Sequence, residues 1–328
     1  MNKLPKPFLS DKNPLNLHKD KCEKFHLNYL LPNYWFTWLL ILISFFLTYF
    51  PHSFRMMLGS LLGKFIYLIN KKRRNIAKVN ISLCFKNITK KESERILTKY
   101  FSWLGRTFLD MPTLWWKNNK SLQKICDIEN IKYLENELKK NKGVVLLTAH
   151  TVSLDFGGRS ISKFPIISMY KPFRNKLLNW FIGKSRSKNT DNVVVFPREQ
   201  FSFKTVVKSL QSPVVFYYVA DEDLGIQNSI FSNFFDEPKS TLISICKIAS
   251  LSGASVLPCI NHYCSDKKKY ITYIDKPLEN FPSGDLDADA RTINMSLENL
   301  IKRQTDQYMW SLRLFQSRPD GFNFPYEK

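Results

Sequence analysis

The sequence predicts an α/β fold: a mostly parallel sheet flanked by helices, with an N-terminal membrane-anchoring helix. Three observations carry this reading. From residue 143 onward, short continuous apolar runs alternate with helical stretches, the pattern that buried parallel strands and their covering helices produce. From Phe25 to Phe54 there is no Lys, Arg, Asp or Glu. Hydrophobic residues make up 44% of the 328-residue chain, enough for a sizeable core.

The elements follow in order. Residues 1–24 read as a polar tail. Residues 25–54 read as a transmembrane region whose densest part is Tyr34 to Phe50; with its flanks it has the roughly 20 residues that a span needs. Tyr34, Trp35 and Trp38 lie at one end and Tyr49 at the other, as interfacial aromatics do, and Pro51 closes the run. Residues 55–141 read as a helical and interfacial segment. Phe54 to Asn70 is apolar but carries Arg55 and Lys64, which suits an interfacial or re-entrant amphipathic helix. The run Lys71, Lys72, Arg73, Arg74 suits lipid headgroups or a solvated helix end. This basic cluster places the body on the cytoplasmic side of a single-pass anchor. Lys90 to Pro112 and Ile131 to Asn141 carry helical spacing. Residues 142–328 form the α/β body, with strands expected at 143–149, 166–170, 193–196, 214–220, 255–260 and 270–274. Helices are expected at 176–187, 201–210, 241–252 and 288–304.

Charge narrows the partners. The chain holds 49 Lys and Arg against 28 Asp and Glu, a net charge of +21, so it attracts anions. An anionic membrane surface, an acidic protein and a phosphorylated substrate all fit. Nucleic acid fits the charge too but is the weakest of these, because no zinc-finger spacing, RNP-type aromatic run or basic heptad region occurs, and no nucleic-acid partner is expected. The six cysteines form no C-x-x-C and read as reduced, mostly buried thiols. Neither H-E-x-x-H nor H-x-x-E-H is present, and no metal or cofactor is expected.

Three expected strands end in polar residues: the first at His150, the third at Arg198, the fourth at Asp221-Glu222-Asp223. Ligands in open α/β sheets gather at such carboxyl ends. Asp155, five residues beyond His150, sits where a first helical turn can fold its carboxylate back onto the imidazole. That pair would fix the tautomer and let His150 take a proton from an attacking alcohol. No G-x-S-x-G elbow is present, so direct transfer without a covalent intermediate is the expected route. Arg198 is placed to stabilise charge or hold a phosphate. Asp221 and Asp223 are placed to orient Arg198 or to hold the acceptor.

The H-x-x-x-x-D element and the blocks after it resemble the late acyltransferases of lipid A biosynthesis. The blocks are VVLLTAH-TVSLD, MYKPFRNKLLNWFIGKSRSKN, Arg198 with its helix, YYVADEDLGIQNSIFSNFFDEPKSTL and QYMWSLRLFQSRPDG. The resemblance implies an inner-membrane enzyme that moves an acyl chain from an acyl carrier protein thioester to a Kdo-bearing lipid A precursor. It implies His150 and Asp155 as the catalytic pair, with Arg198, Asp221, Asp223, Lys171 and Arg313 at substrate, oxyanion or phosphate positions. Three departures stand out. Asp155 occupies a position where many members carry Glu. Lys171 stands where an Arg is common, and lacks its bidentate fork. Ala149 replaces a frequent Gly. Phe196-Pro197-Arg198-Glu199 departs from the Phe-Pro-Glu-Gly of glycerol-phosphate acyltransferases. The competing readings are an acyltransferase for another glycolipid or glycerolipid, and a non-catalytic membrane protein that binds anionic lipid.

Overall fold

The computed structural model describes residues 13–19, 24–187 and 191–326. The N-terminal part holds α1 (Asn16–Lys19), α2 (Trp35–Leu47), α3 (His52–Ile69), α4 (Lys71–Cys84), α5 (Lys90–Asp110), α6 (Pro112–Trp116) and α7 (Asn119–Leu122). Then come β1 (Cys126–Glu129), α8 (Ile131–Leu138), β2 (Val144–Thr148), α9 (Leu154–Ser160), β3 (Ile166–Tyr170), α10 (Lys176–Arg186), β4 (Val193–Pro197), α11 (Phe203–Leu210) and β5 (Val215–Val219). The chain continues through β6 (Ser229–Phe234), β7 (Glu237–Leu242), α12 (Ser244–Ser252), β8 (Ser255–Cys264), β9 (Lys269–Ile274) and α13 (Leu286–Arg303).

Seven strands form one sheet in the order β1-β9-β8-β2-β5-β3-β4. Every neighbouring pair is parallel except β8 with β9. The central strands β2 and β5 are buried on both faces, which is why they read as unbroken apolar runs. The sequence pattern does not announce β1, nor the antiparallel hairpin of β6 and β7, which takes up the start of the helix expected at 241–252. The described cysteines are all free thiols; Cys22 lies outside the described residues.

The described residues of the N-terminal part add two observations to the sequence expectation. The tail expected over 1–24 contains a docked piece, since Leu15 and His18 are buried. His18 stacks on Phe196 of β4, and its Nε2 lies 2.9 Å from the Ser209 hydroxyl of α11. The uncharged stretch 25–54 does not form one spanning helix: among the described residues no helix is long and apolar enough to cross a membrane. Pro51 ends the run, and α2 keeps only 13 residues, roughly 20 Å of helix against a hydrocarbon core of about 30 Å.

Close packing joins α3 to α5 within this N-terminal part, and a buried ion network ties both to the body. A Cβ added to Gly59 or Gly63 of α3 would strike the α5 backbone at Arg106 or Phe101, and one added to Gly105 would strike α3. Small residues on both sides therefore let the two backbones touch. At the start of α3, Arg55 donates from Nε and Nη2 to Asp110 Oδ1 at 2.9 and 2.7 Å. Tyr270 of β9 donates to Asp110 Oδ2 at 2.9 Å. Burial pushes the Asp110 carboxyl up, but His52 and Arg55 outweigh it and hold its pKa below the ordinary value. Removing one member of such a buried pair costs roughly 3–5 kcal/mol, so α3 is fixed to the sheet by more than apolar contact.

Candidate active site

The parallel register of β2 and β5 builds the centre of the site. Thr148 pairs with Val219, and the Ala220 N–H donates to Thr148 O at 3.0 Å. His150 and Asp221, each two residues beyond this pair, therefore emerge side by side at the carboxyl end of the sheet. The His150 backbone N–H donates to Asp221 Oδ2 at 3.0 Å, and its Nδ1 lies 2.7 Å from Asp221 Oδ1. Asp221 is wholly buried, while 28% of the His150 side chain stays accessible. Nδ1 is committed to the carboxylate, which leaves Nε2 as the ring nitrogen for a substrate.

The electrostatics follow from that contact. Burial pushes the His150 imidazole down, but the charge and hydrogen bond of Asp221 outweigh it, so its pKa stands above the ordinary histidine value. Burial pushes Asp221 up, yet His150 and the Tyr308 hydroxyl outweigh it, so the carboxylate titrates below its usual range. Lys239 of β7 is wholly buried. Burial drives its pKa down, while Asp221 and Asp223 oppose that fall.

The C-terminal segment holds the His150 loop in place. Met309 N–H donates to His150 O at 2.9 Å, and Val152 N–H donates to Gln307 O at 2.9 Å. The Gln307 side chain clamps the backbone of Tyr263 in β8 from both sides, at 2.8 and 2.9 Å. Much of the closing QYMWSLR block thus shapes the site without entering it.

Asp155 does not pair with His150. It opens α9, which carries its carboxylate toward α10, where Arg186 grips it through Nε at 2.9 Å and Nη2 at 3.2 Å. The partner expected five residues along the chain comes instead from across the sheet. Arg198 lies at the end of β4 and donates to Glu222, not to Asp221 or Asp223, at 2.9 Å. Lys171 lines the cavity from the loop after β3. Asp223 is turned away to fix the loop, accepting from Ser317 N–H at 2.6 Å, Ser317 Oγ at 2.8 Å and Gly225 N–H at 3.0 Å. Gly225 has φ +103°, a conformation that suits glycine. Arg313 does not line the cavity; its guanidinium lies 5.9 Å over the Tyr326 ring.

His150, Asp155, Lys171, Arg186, Arg198 and Glu222 face one cavity of about 490 Å³, walled by Leu154, Ile166, Ile182, Val193, Val195 and Tyr217 among others. A charged rim over an apolar interior suits a ligand with a polar reacting end and a hydrocarbon remainder. Among the described residues no cluster of His, Cys, Asp or Glu is arranged to hold a metal ion. The sequence reading missed Arg186. Its signal was helical spacing: Ile182, Ser185 and Arg186 line the cavity together, at the i, i+3 and i+4 positions of one helix face.

The family described as bacterial lipid A biosynthesis acyltransferase matches residues 22–317. A lipid A biosynthesis acyltransferase of Haemophilus influenzae is 30% identical over 90% of this chain and 92% of that protein. The lipid A biosynthesis palmitoleoyltransferase of Escherichia coli is 28% identical over 91% of this chain and 96% of that protein. The lipid A biosynthesis lauroyltransferase of the same organism is 26% identical over 91% and 97%.

The charge pattern sets a pH test. With His150 as the base, which must be neutral to act, its raised pKa should put the acid limb of the rate profile above the ordinary histidine value. Asp221→Asn removes the charge that raises it. The limb should move to lower pH while turnover falls by on the order of 10³–10⁴. Asp155→Asn should lower turnover without moving the limb. Rate profiles of the three proteins decide this, and a limb that moves with Asp155 instead would return that residue to the imidazole.

Proposed function

The chain belongs to the bacterial lipid A biosynthesis acyltransferases, and on that premise we propose that it moves a fatty acyl chain from an acyl carrier protein thioester to a hydroxyacyl hydroxyl of a Kdo-bearing lipid A precursor. The observation that carries the mechanism is the His150 Nδ1 to Asp221 contact of 2.7 Å at the mouth of an apolar cavity. In this reading Nε2 takes the proton of the acceptor hydroxyl as its oxygen attacks the thioester carbonyl. The carbonyl oxygen gains negative charge, the C–S bond breaks, and the imidazolium returns the proton to the leaving thiolate. Asp221 steadies the imidazolium and holds its tautomer.

Arg186 is the residue best placed to meet developing charge. Asp155 fixes its Nε and Nη2, and its Nη1 is buried with no hydrogen-bond partner among the described residues. A pre-oriented guanidinium donor at the cavity wall suits an oxyanion or a phosphate oxygen. Asp155 in this reading is a positioning residue. Arg198 and Lys171 supply positive charge at the rim, which suits an acceptor bearing phosphates and acidic sugars. An acidic carrier protein likewise complements the surplus of +21.

The same reading seats the enzyme on the cytoplasmic face of the inner membrane through an exposed apolar surface. Trp35, Phe36, Leu39, Leu42, Ile43 and Phe46 of α2 are exposed, as are Met57, Leu61, Phe65 and Leu68 of α3. An apolar area of that size suits burial at the headgroup–acyl boundary. The α2 face is anchored beside the cavity. Asn175, at the start of α10, donates to Thr37 Oγ1 at 2.7 Å, and Trp116 donates to Ser44 Oγ at 2.9 Å. A lipid acceptor would reach His150 from the bilayer side.

Two experiments test this reading. Purified protein in detergent, given acyl carrier protein thioester and Kdo-bearing lipid A precursor, should add the mass of one acyl chain, and His150→Ala should lose that product. Transfer only to another glycolipid or glycerolipid would keep the chemistry and change the acceptor, while lipid binding without transfer to any acceptor would leave an anionic-lipid-binding protein. For the membrane face, Phe36→Asp with Leu61→Asp should reduce co-sedimentation with anionic vesicles. Unchanged sedimentation would mean that another surface holds the protein there.

A further inference from the structure

Strand β4 is an edge of the seven-stranded sheet, and Arg198 follows its carboxyl end. Its neighbour β3 pairs with β5 only from Ile166 to Ser168, whereas β3 and β4 stay paired as far as Tyr170 and Pro197. Past Ser168 the two outer strands therefore run on together without a ladder to the centre of the sheet. The residues that follow them, Lys171 and Arg198, are the cations at the cavity rim. Arg198 is tied back to the centre by its 2.9 Å contact with Glu222, just beyond β5. The side chains of that pair are 31% and 36% exposed, so water screens the contact and it holds the corner weakly. An anion arriving at Arg198 would compete with Glu222 and loosen it further.

A second tether comes from the N-terminal segment. Asn13 starts its single turn: Oδ1 accepts from Leu15 N–H and the backbone O accepts from Asn16 N–H, both at 2.9 Å. Leu15 and His18, three residues apart, face the same way from that turn, and both are buried. Leu15 joins the core cluster that contains Phe196. The His18 ring lies flat on Phe196 of β4, with centroids 4.9 Å apart and planes 8° apart, while its Nε2 lies 2.9 Å from the Ser209 hydroxyl of α11. Phe196 stands two residues before Arg198 and Ser209 eleven after it. His18 thus bridges the strand and the helix between which the Arg198 turn is strung. Asn13–Lys19 precedes the family-matched residues 22–317, so the family match does not account for this contact.

We propose that Leu15 and His18 are positioning residues, which hold the β4–α11 corner so that Arg198 and Lys171 meet a phosphate of the acceptor lipid in a fixed place. This deepens the acyl-transfer reading and rests on it. When the phosphate draws Arg198 from Glu222, the corner loses its tie to β5 and keeps the one to the N-terminal segment. A cation whose supporting residues stay packed needs no reordering when the anion binds.

The test is the steady-state kinetics of the full-length chain with a phosphorylated lipid A precursor as the varied substrate. His18→Ala should raise the acceptor KM by roughly tenfold while kcat stays within about twofold of wild type. His18→Phe keeps a ring on Phe196 and should recover most of that loss. Arg198→Gln should raise KM as well, and His18→Ala added to it should raise KM by no more than about threefold further, because the tether acts through Arg198. If His18→Ala does not fold, Leu15→Ala takes its place in the same cycle. An unchanged KM in these variants, a fall in kcat alone, or the full tenfold effect persisting in the Arg198→Gln background would overturn the assignment and leave the segment a structural role. A wild type that transfers to no phosphorylated lipid would overturn the acyl-transfer reading itself, and this assignment with it.

Discussion

A carboxylate buried without access to water is costly unless charge and hydrogen bonds compensate it, and Asp221 is such a group. Its surroundings are arranged around that cost. The register of β2 and β5 brings the His150 backbone N–H to one oxygen and the imidazole to the other. Tyr308 comes from the C-terminal segment, which is itself held by Gln307 on β8 and by Asn80 of α4, whose amide donates to Trp310 O and Leu312 O, both at 2.6 Å. Asp223, two residues on, ties the same loop to Ser317. Elements far apart in sequence thus converge to keep one negative charge under one imidazole.

The contact also divides labour between two acid–base pairs. Asp221 acts on the ring of His150, whereas Asp155 acts on Arg186. In the proposed mechanism one pair governs a proton and the other an oriented positive charge, and His150, Asp155 and Arg186 face the same cavity. The ion network of Arg55, Asp110 and Tyr270 plays a comparable structural part behind the site. It fixes α3, one of the two helices that carry the exposed apolar face, to the sheet.

How much of this the sequence displayed depended on the kind of order involved. Strands β2, β3, β4 and β5 were legible because strands buried on two faces read as continuous apolar runs. Strand β1 (CDIE) and strand β7 (EPKSTL) are short and polar, so no apolar run marks them. His150 was legible from its place at a strand end. Its true partner was not, because spacing along the chain favours Asp155 at five residues, while register across the sheet selects Asp221 at 71. Arg186 was hidden among neighbouring basic residues, since charge alone does not say which face of α10 looks inward. The uncharged stretch 25–54 displayed its apolar character but not its break, which needed the turn before Pro51.

The most direct measurement is the proton on His150 itself. With histidine labelled in nitrogen-15, the nuclear magnetic resonance signal of His150 in the neutral form should show the proton on Nδ1, with a resonance shifted downfield by the Asp221 carboxylate. That resonance should vanish in Asp221→Asn and persist in Asp155→Asn. A proton on Nε2, or a downfield signal lost with Asp155 and kept without Asp221, would contradict the account at its centre.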